Sequence, residues 1–586
     1  MALAATTIWE VRTTGAADNG GGFNPAAAGA GTDYSRQDAA QLALTDLSYD
    51  DSNVIASVAG GFTNAMVGNL VYISSNADGW VAGFYEIVGY NSPNLVELDR
   101  EPTTGGTASG GAGKVGGAQS NLGLVCAAVP AASATGANVV HVKAGTYAQG
   151  THFTNQVKFN NAGHYLNHHV VRGYNATRGD AIAPCVTLDG NNANYDVYYS
   201  NKAYIQLANV AVNGYAGGTP TNTKHGFNLD TYADGNTLYR CRAVNTGAMG
   251  IRAVANGCGL DGCEVSGFGR AASSIGIGVG GNVVSLVGCH AHDGTGDAFN
   301  VWSAYPGLLA YCIGAGCTQY GLNMNYNGAI YPQAVVHCVF HGNGSHGIYA
   351  SGSTSGRPGR IVNTILSNNG GYGIAAHATG KCRAILRGVA FYGNSSGQVD
   401  ANTTVEESVA RITLTSDPFV DAAAGDFRLT QAVSGALGTG WPGAFLSAGA
   451  LTSWTGAPDL GAVQLAYPEA VADITPRIAT GETRLLLSDV LNSRSAILDV
   501  TPFSYGVISA SMIGGTWALG RITPEYSLDG VNWAALGSAL SAAGYTRPVD
   551  LRGVRYLSFR LSTVQAGYAE VDLDVWADDS APDPAV

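Results

Sequence analysis

The sequence predicts an all-β protein. At its centre is a right-handed parallel β-helix, a solenoid of stacked short strands. A small N-terminal β domain and a C-terminal antiparallel β-sandwich flank it. Three observations carry this prediction. Only 12% of the 586 residues are charged, while Gly alone contributes 82. That composition suits short strands joined by tight turns and does not suit long helices. Next, Cys241, Cys263, Cys289, Cys312 and Cys338 recur at intervals of 22, 26, 23 and 26 residues. A period of roughly 20–30 residues built from short strands marks a solenoid, whose coils bury their apolar faces only by stacking. Finally, the chain beyond residue 466 turns to long alternating strands without Cys or His up to residue 578.

In chain order, residues 1–120 read as a separate β domain, an attachment or capping module. "VIASVAGGFTNAMVGNLVYISSNADGW" and the run after it alternate apolar and polar residues between Gly and Asn turns. The preceding low-complexity stretch "AADNGGGFNPAAAGAGTDYS" is expected along the surface. Residues 121–465 are assigned to the solenoid. "NLGLVCAAVP" opens it as a short helix, and "VHVKAGTY" follows as the first coil. Each later rung has an apolar residue three before its anchor: Leu238, Leu260, Leu286, Leu309, Val335, Ile361 and Ile385. Two further anchors without cysteine are placed at Thr364 and Gly388.

A second short strand follows in each rung: "GFNLD", "GIRAV", "GIGVG", "AFNVW", "GLNMN", "GIYAS" and "GIAAH". Residues two apart on a strand share a face. Phe227, Ile251, Ile277, Phe299, Leu322, Ile348 and Ile374 should point inward, followed by Leu229, Ala253, Val279, Val301, Met324, Ala350 and Ala376. The ten cysteines all lie between Cys126 and Cys382. The anchor set reads as a stack of small buried thiols, with disulfides between coils as the alternative. Residues 466–578 are the expected sandwich, with "SLDG" as a hairpin turn. Residues 579–586 are a loose tail.

The net charge of −13 leaves no basic surface for nucleic acid. No apolar run reaches about 18 residues, so no membrane span is expected. The N-terminus lacks a basic region followed by an apolar run, so no signal peptide is expected.

The chemistry-bearing stretch is "LVGCHAHDGTGDAFNVW", Leu286–Trp302. It is one rung of the solenoid, with "HDGTGD" as its turn. Asp293 and Asp297, with Glu264 nearby, are the candidate catalytic carboxylates, because sugar hydrolysis takes an acid and a base or nucleophile about 5–10 Å apart. The competing reading has both aspartates capping turn amides, and a Ca²⁺ site built partly from them is a further alternative. His290, His292, His337, His341 and His346 lack metal-ligand spacing, so no metal site is assigned. The outward ladder points to carbohydrate binding. Asn228, Arg252, Asn300, Trp302, Asn323, Asn325 and Tyr349 form a strip of amides and aromatics, and sugars are held by amide hydrogen bonds and aromatic stacking. A solvated Asn-rich sheet or a contact between protomers are the alternatives.

The opening "VHVKAGTY" and the closing "SDPFVDAAAGDFRL…PDLGA" resemble those of pectate-lyase-like β-helix proteins. The end modules resemble those of phage tailspike and fibre proteins. The resemblance implies a virion protein, a parallel homotrimer that meets other virion proteins and recognises a polysaccharide or host-surface glycan. A polysaccharide depolymerase, lyase or glycoside hydrolase, on the same fold is the first alternative. A secreted bacterial polysaccharide-active protein is the second.

Overall fold

A computed structural model describes residues 3–430, apart from Asp51 and residues 75–78, 216–217, 220, 222, 271–274, 282–283, 303–307, 326–333, 352–358 and 379–381. Beyond Thr430 it describes the backbone of strands between Leu446 and Trp576. The solenoid is right-handed, with about seven turns. The chain divides into two compact units. One is Met1–Ala255 with Cys263–Ile275; the other is Asn256–Gly262 with Gly276–Val586.

In the first unit, the region expected as an N-terminal domain contains a closed six-stranded antiparallel barrel between Leu42 and Val115. Leu47, Ile55, Val71, Ile73, Ile87 and Val96 are fully buried inside it. The first strand, Ile8–Ala16, lies outside the barrel. It pairs in parallel with Val139–Lys143, the first coil, with Ile8 opposite Val139. The low-complexity stretch departs from expectation in part: Asn19 to Asn24 are buried, while Pro25 to Tyr34 are exposed or half-exposed. Gly22–Phe23 pairs antiparallel with Ile8–Trp9. At Gly20 a Cβ would lie 1.9 Å from the Leu70 carbonyl oxygen, so only glycine allows that approach. The short helix forms at Leu122–Ala128, capped by the Asn121 side chain accepting from the Leu124 N–H.

From Ile205 to Ala376 each coil has three strands where the sequence suggested two. In the first unit one coil runs Thr237–Tyr239, Arg242–Val244 and Ile251–Ala253. In the second, one runs Ser285–Val287, His290–His292 and Asp297–Val301. A single left-handed residue makes the first corner: Arg240, Gly288, Tyr311, His337 and Asn363 all have φ between 48° and 61°. The anchor cysteine follows it, buried. Its thiol donates to a carbonyl of the coil below: Cys289 to Leu260 at 3.5 Å, Cys312 to Leu286 at 3.5 Å and Cys338 to Leu309 at 3.5 Å. All ten cysteines are free thiols.

The last coil corrects the predicted register. Ile361 pairs with Leu386 and Ile365 with Ala390. Val389 therefore takes the anchor position, and Gly388, φ 62°, takes the left-handed corner. The first two strands of this coil fuse into Cys382–Tyr392, so apolar spacing no longer marks the corner there.

Both inward ladders of the third strands are buried as expected, from Phe227 to Ile374 and from Leu229 to Ala376. In the second unit the "DPF…GDFRL" segment forms an antiparallel hairpin, Phe419–Asp421 with Asp426–Leu429. It packs across Ala315, Val339, Ile365 and Ala390 on the outer side of the second strands. The C-terminal strands form two four-stranded antiparallel sheets. Tyr526 pairs antiparallel with Ala534; the turn expected at "SLDG" falls at residues 528–530, outside the described residues. Among the described residues no helix is long and apolar enough to cross a membrane.

Candidate functional site: polar strips on the outer face of the third strands

The third strands bury alternate residues, so the residues between them meet on the outer face. In the first unit these form a connected polar chain. Asn228 donates through Nδ2 to Asp196 at 2.8 Å and accepts from the Arg252 guanidinium at 2.9 Å. Arg252 also reaches Asp230 at 3.3 Å, and Tyr199 donates to the other Asp230 oxygen at 2.9 Å. The His225 backbone N–H donates to Asp196 at 2.8 Å. Burial lowers the His225 pKa, with the neighbouring Asp196 opposing it. Tyr195 and Tyr232 stand exposed beside this chain, at 45% and 74%.

The second unit carries a different strip. Asp297 accepts through one oxygen from Asn300 at 2.8 Å and from Asn323 at 2.9 Å. Ser351 donates to the Asn323 carbonyl at 2.7 Å. Burial pushes the Asp297 carboxyl up, against the hydrogen bonds from Asn323 and Asn300. Beside it, Tyr320 stacks on Tyr349 with ring centres 4.4 Å apart and on His346 at 5.7 Å, and His346 stacks on Tyr372 at 6.0 Å. Trp302 lies on Gly280, where a Cβ would come 2.1 Å from the indole nitrogen.

Three residues of the predicted strip are corrected. Asn228, Asn300 and Asn323 do not face solvent but are 6%, 8% and 9% exposed. Their amides are held between coils by Asp196, Asp297, Arg252 and Ser351, and this packing excludes water. Arg252, Trp302, Asn325 and Tyr349 are half-buried.

Each predicted carboxylate has its own surroundings. Asp293 sits at the second corner of its coil with φ 53°, where Gly316, Gly342 and Gly393 hold glycine. Its carboxylate is exposed and meets His292 at 2.8 Å. Glu264, on Glu264–Ser266 of the first unit, pairs with Arg242 at 3.3 Å. Asp297 alone is buried in a strip. Among the described residues no group of three or more His, Cys, Asp or Glu is placed to hold a metal ion. His290 and His341 lie beneath the hairpin, with Phe427 ring centres at 5.9 and 5.7 Å. His337 stacks on Tyr311 at 5.0 Å.

Sequence reasoning missed Asp196, Tyr199 and Tyr320. A signal was available. Asp196, His225, Asp297, Tyr320, His346 and Tyr372 each stand two residues before an inward residue of the third strand. Carrying the ladder back one coil to Tyr198, which pairs with Phe227, exposes the first pair.

A family model described as "Right handed beta helix region" matches residues 229–396. No curated protein matches the sequence. Several solved structures are similar at low identity. The periplasmic alginate epimerase AlgG is 13% identical, over 47% of this chain and 77% of its own, with a TM-score of 0.28. The Acinetobacter phage vB_ApiP_P1 tailspike is 13% identical, over 75% and 81%, with a TM-score of 0.26. The catalytic domain of a GH87 α-1,3-glucanase is 10% identical, over 65% and 91%, with a TM-score of 0.23.

Proposed function

We propose that this chain is a bacteriophage virion spike or fibre protein that recognises a host-surface or environmental glycan through the outer face of its third strands. In this reading it works as a parallel homotrimer held in the virion by other virion proteins. The observation that carries the reading is the second-unit strip. There half-buried Trp302, Asn325, Tyr349 and Ser351 line the outer face, with Tyr320 and His346 stacked against Tyr349 and the buried Asn300 and Asn323 amides forming the floor beneath them. Aromatic faces take the apolar face of a sugar ring, and amides and hydroxyls take its hydroxyls. Trp302→Ala combined with Tyr349→Ala is expected to weaken attachment to host surface or purified glycan about tenfold or more, since stacked aromatic anchors dominate such interfaces. Attachment at full strength by a folded double variant overturns the reading.

The depolymerase reading has one observation in its favour: burial raises the Asp297 carboxyl, as a general acid requires. Against it, the nearest acidic residue in sequence, Asp293, is an exposed corner residue paired with His292. Loss of a depolymerase activity in Asp297→Asn, with attachment retained, would decide for the enzyme.

A further inference from the structure

Among the described residues, the second-unit strip contains a carboxyl group with no Lys or Arg beside it. Between Arg270 and Arg357 the sequence has no Lys or Arg, and Asp293 and Asp297 are its only acidic residues. Asp297 is 4% exposed. The titratable groups that feel it are Tyr320 and Cys317 of the next coil, neither of them cationic. The preceding strand, Ile275–Val279, carries no titratable side chain. A buried carboxylate without a counter-charge is costly, and the group takes up a proton instead.

Hydrogen bonding gives independent support. One Asp297 oxygen accepts two amide N–H groups, from Asn300 and Asn323. The other Asp297 oxygen and the Asn300 amide oxygen are both buried and neither meets a donor in good hydrogen-bond geometry, although the Tyr320 backbone N–H also favours the charged carboxylate. Two orphan acceptors in one hydrogen-bonded pair are a mismatch that a single proton resolves. A carboxylic acid facing a primary amide closes a ring of two hydrogen bonds. The Asn300 N–H donates to one acid oxygen, and the acid O–H donates to the Asn300 oxygen.

We infer that the strip is uncharged when it works, with Asp297 as a carboxylic acid bonded to Asn300, and that its ligand is a neutral, hydroxyl-rich glycan rather than a uronate- or sialate-bearing one. The ligand half rests on the glycan-binding function proposed above; the proton half does not. Asp297 is a positioning residue here. It fixes the Asn323 amide, whose oxygen then takes the Ser351 hydroxyl. Among the described residues an acidic sugar brought to this strip finds no Lys or Arg, and the one imidazole, His346, has its pKa lowered by burial, so little offsets the desolvation of the sugar carboxylate.

Two measurements on the full chain test this. Asp297→Asn replaces a neutral acid by a neutral amide of the same shape, able to give and receive the same bonds. It is expected to fold and to melt at or above the wild type. A raised carboxyl pKa means that the folded chain binds more protons than the unfolded one, so wild-type stability falls as pH rises from the ordinary value of 3.8. The advantage of Asp297→Asn should therefore widen with pH. Failure of this variant to fold, or a gap that does not change with pH, overturns the proton. The second measurement compares wild-type binding to a neutral and a uronate-bearing oligosaccharide of equal length. A preference of about tenfold or more for the neutral one is expected, given the cost of an uncompensated charge. Equal or tighter binding of the acidic one overturns the ligand class and leaves glycan binding standing. Binding of neither overturns both, while the proton is still judged by the melting curves.

Discussion

Thr364 stands in the cysteine ladder. Its hydroxyl donates to the Val362 carbonyl at 3.0 Å, and the Cys338 N–H donates to that hydroxyl at 3.4 Å. The corner thus accepts a hydroxyl where other coils place a thiol. Cys289 makes the equivalent contact through sulfur, to Leu260 and Val287 at 3.5 and 3.6 Å. Cys289→Ser is therefore expected to cost about 1 kcal/mol, the low end for a buried polar group that keeps a partner. Chemical denaturation measures it. A loss of several kcal/mol would show that the thiol serves by its size and apolar character instead.

At the scale of the element, the Phe419–Leu429 hairpin matters most to the second unit. Phe419, Phe427 and Leu429 are nearly fully buried against the outer side of four coils. Phe427 also meets His290 and His341 edge-on. Phe427→Ala should cost about 3–5 kcal/mol, the usual range for a buried Phe. The hairpin should then detach before the coils do. Hydrogen exchange would report faster exchange at Phe419–Leu429 while the third strands stay protected. The burial that lowers the His341 pKa should relax as well, so its titration should move back up in the variant.

For the molecule as a whole, acid is the expected weakness. His141 and His169, in the first unit, are pushed down to about 4 by burial. His169 accepts the Asn138 N–H on its ring nitrogen at 3.3 Å, which requires the neutral form. A histidine with a lowered folded pKa binds fewer protons folded than unfolded. Its contribution is complete above about 6.5 and is lost as pH falls toward 4. Melting temperature should drop across that window by an amount on the order of a few kcal/mol in stability. A flat profile between these limits would refute it. Assembly is tested by light scattering. The proposed homotrimer should give three times the 59.9 kDa chain mass at micromolar concentration, and a monomer mass would refute it.

The sequence by itself determined the solenoid. A coil repeats its inward residues at nearly constant intervals, and stacking demands that they align, so Phe227 to Ile374 and the anchor cysteines were legible as ladders. It also marked Asp297, Asn300 and Asn323 as residues of one rung and the next. What it left open was everything set by position across coils. The three-strand coil depends on single left-handed corners, and these accept Arg240, Tyr311, His337 and Asn363 as well as glycine, so residue type does not announce them. The shift at Gly388 arises because two strands fuse there. The burial of the Asn strip was decided by tertiary structure alone. Alternation along a strand says which way an amide points, but only neighbouring coils bring up the Asp, Ser and Arg groups that hold it away from water.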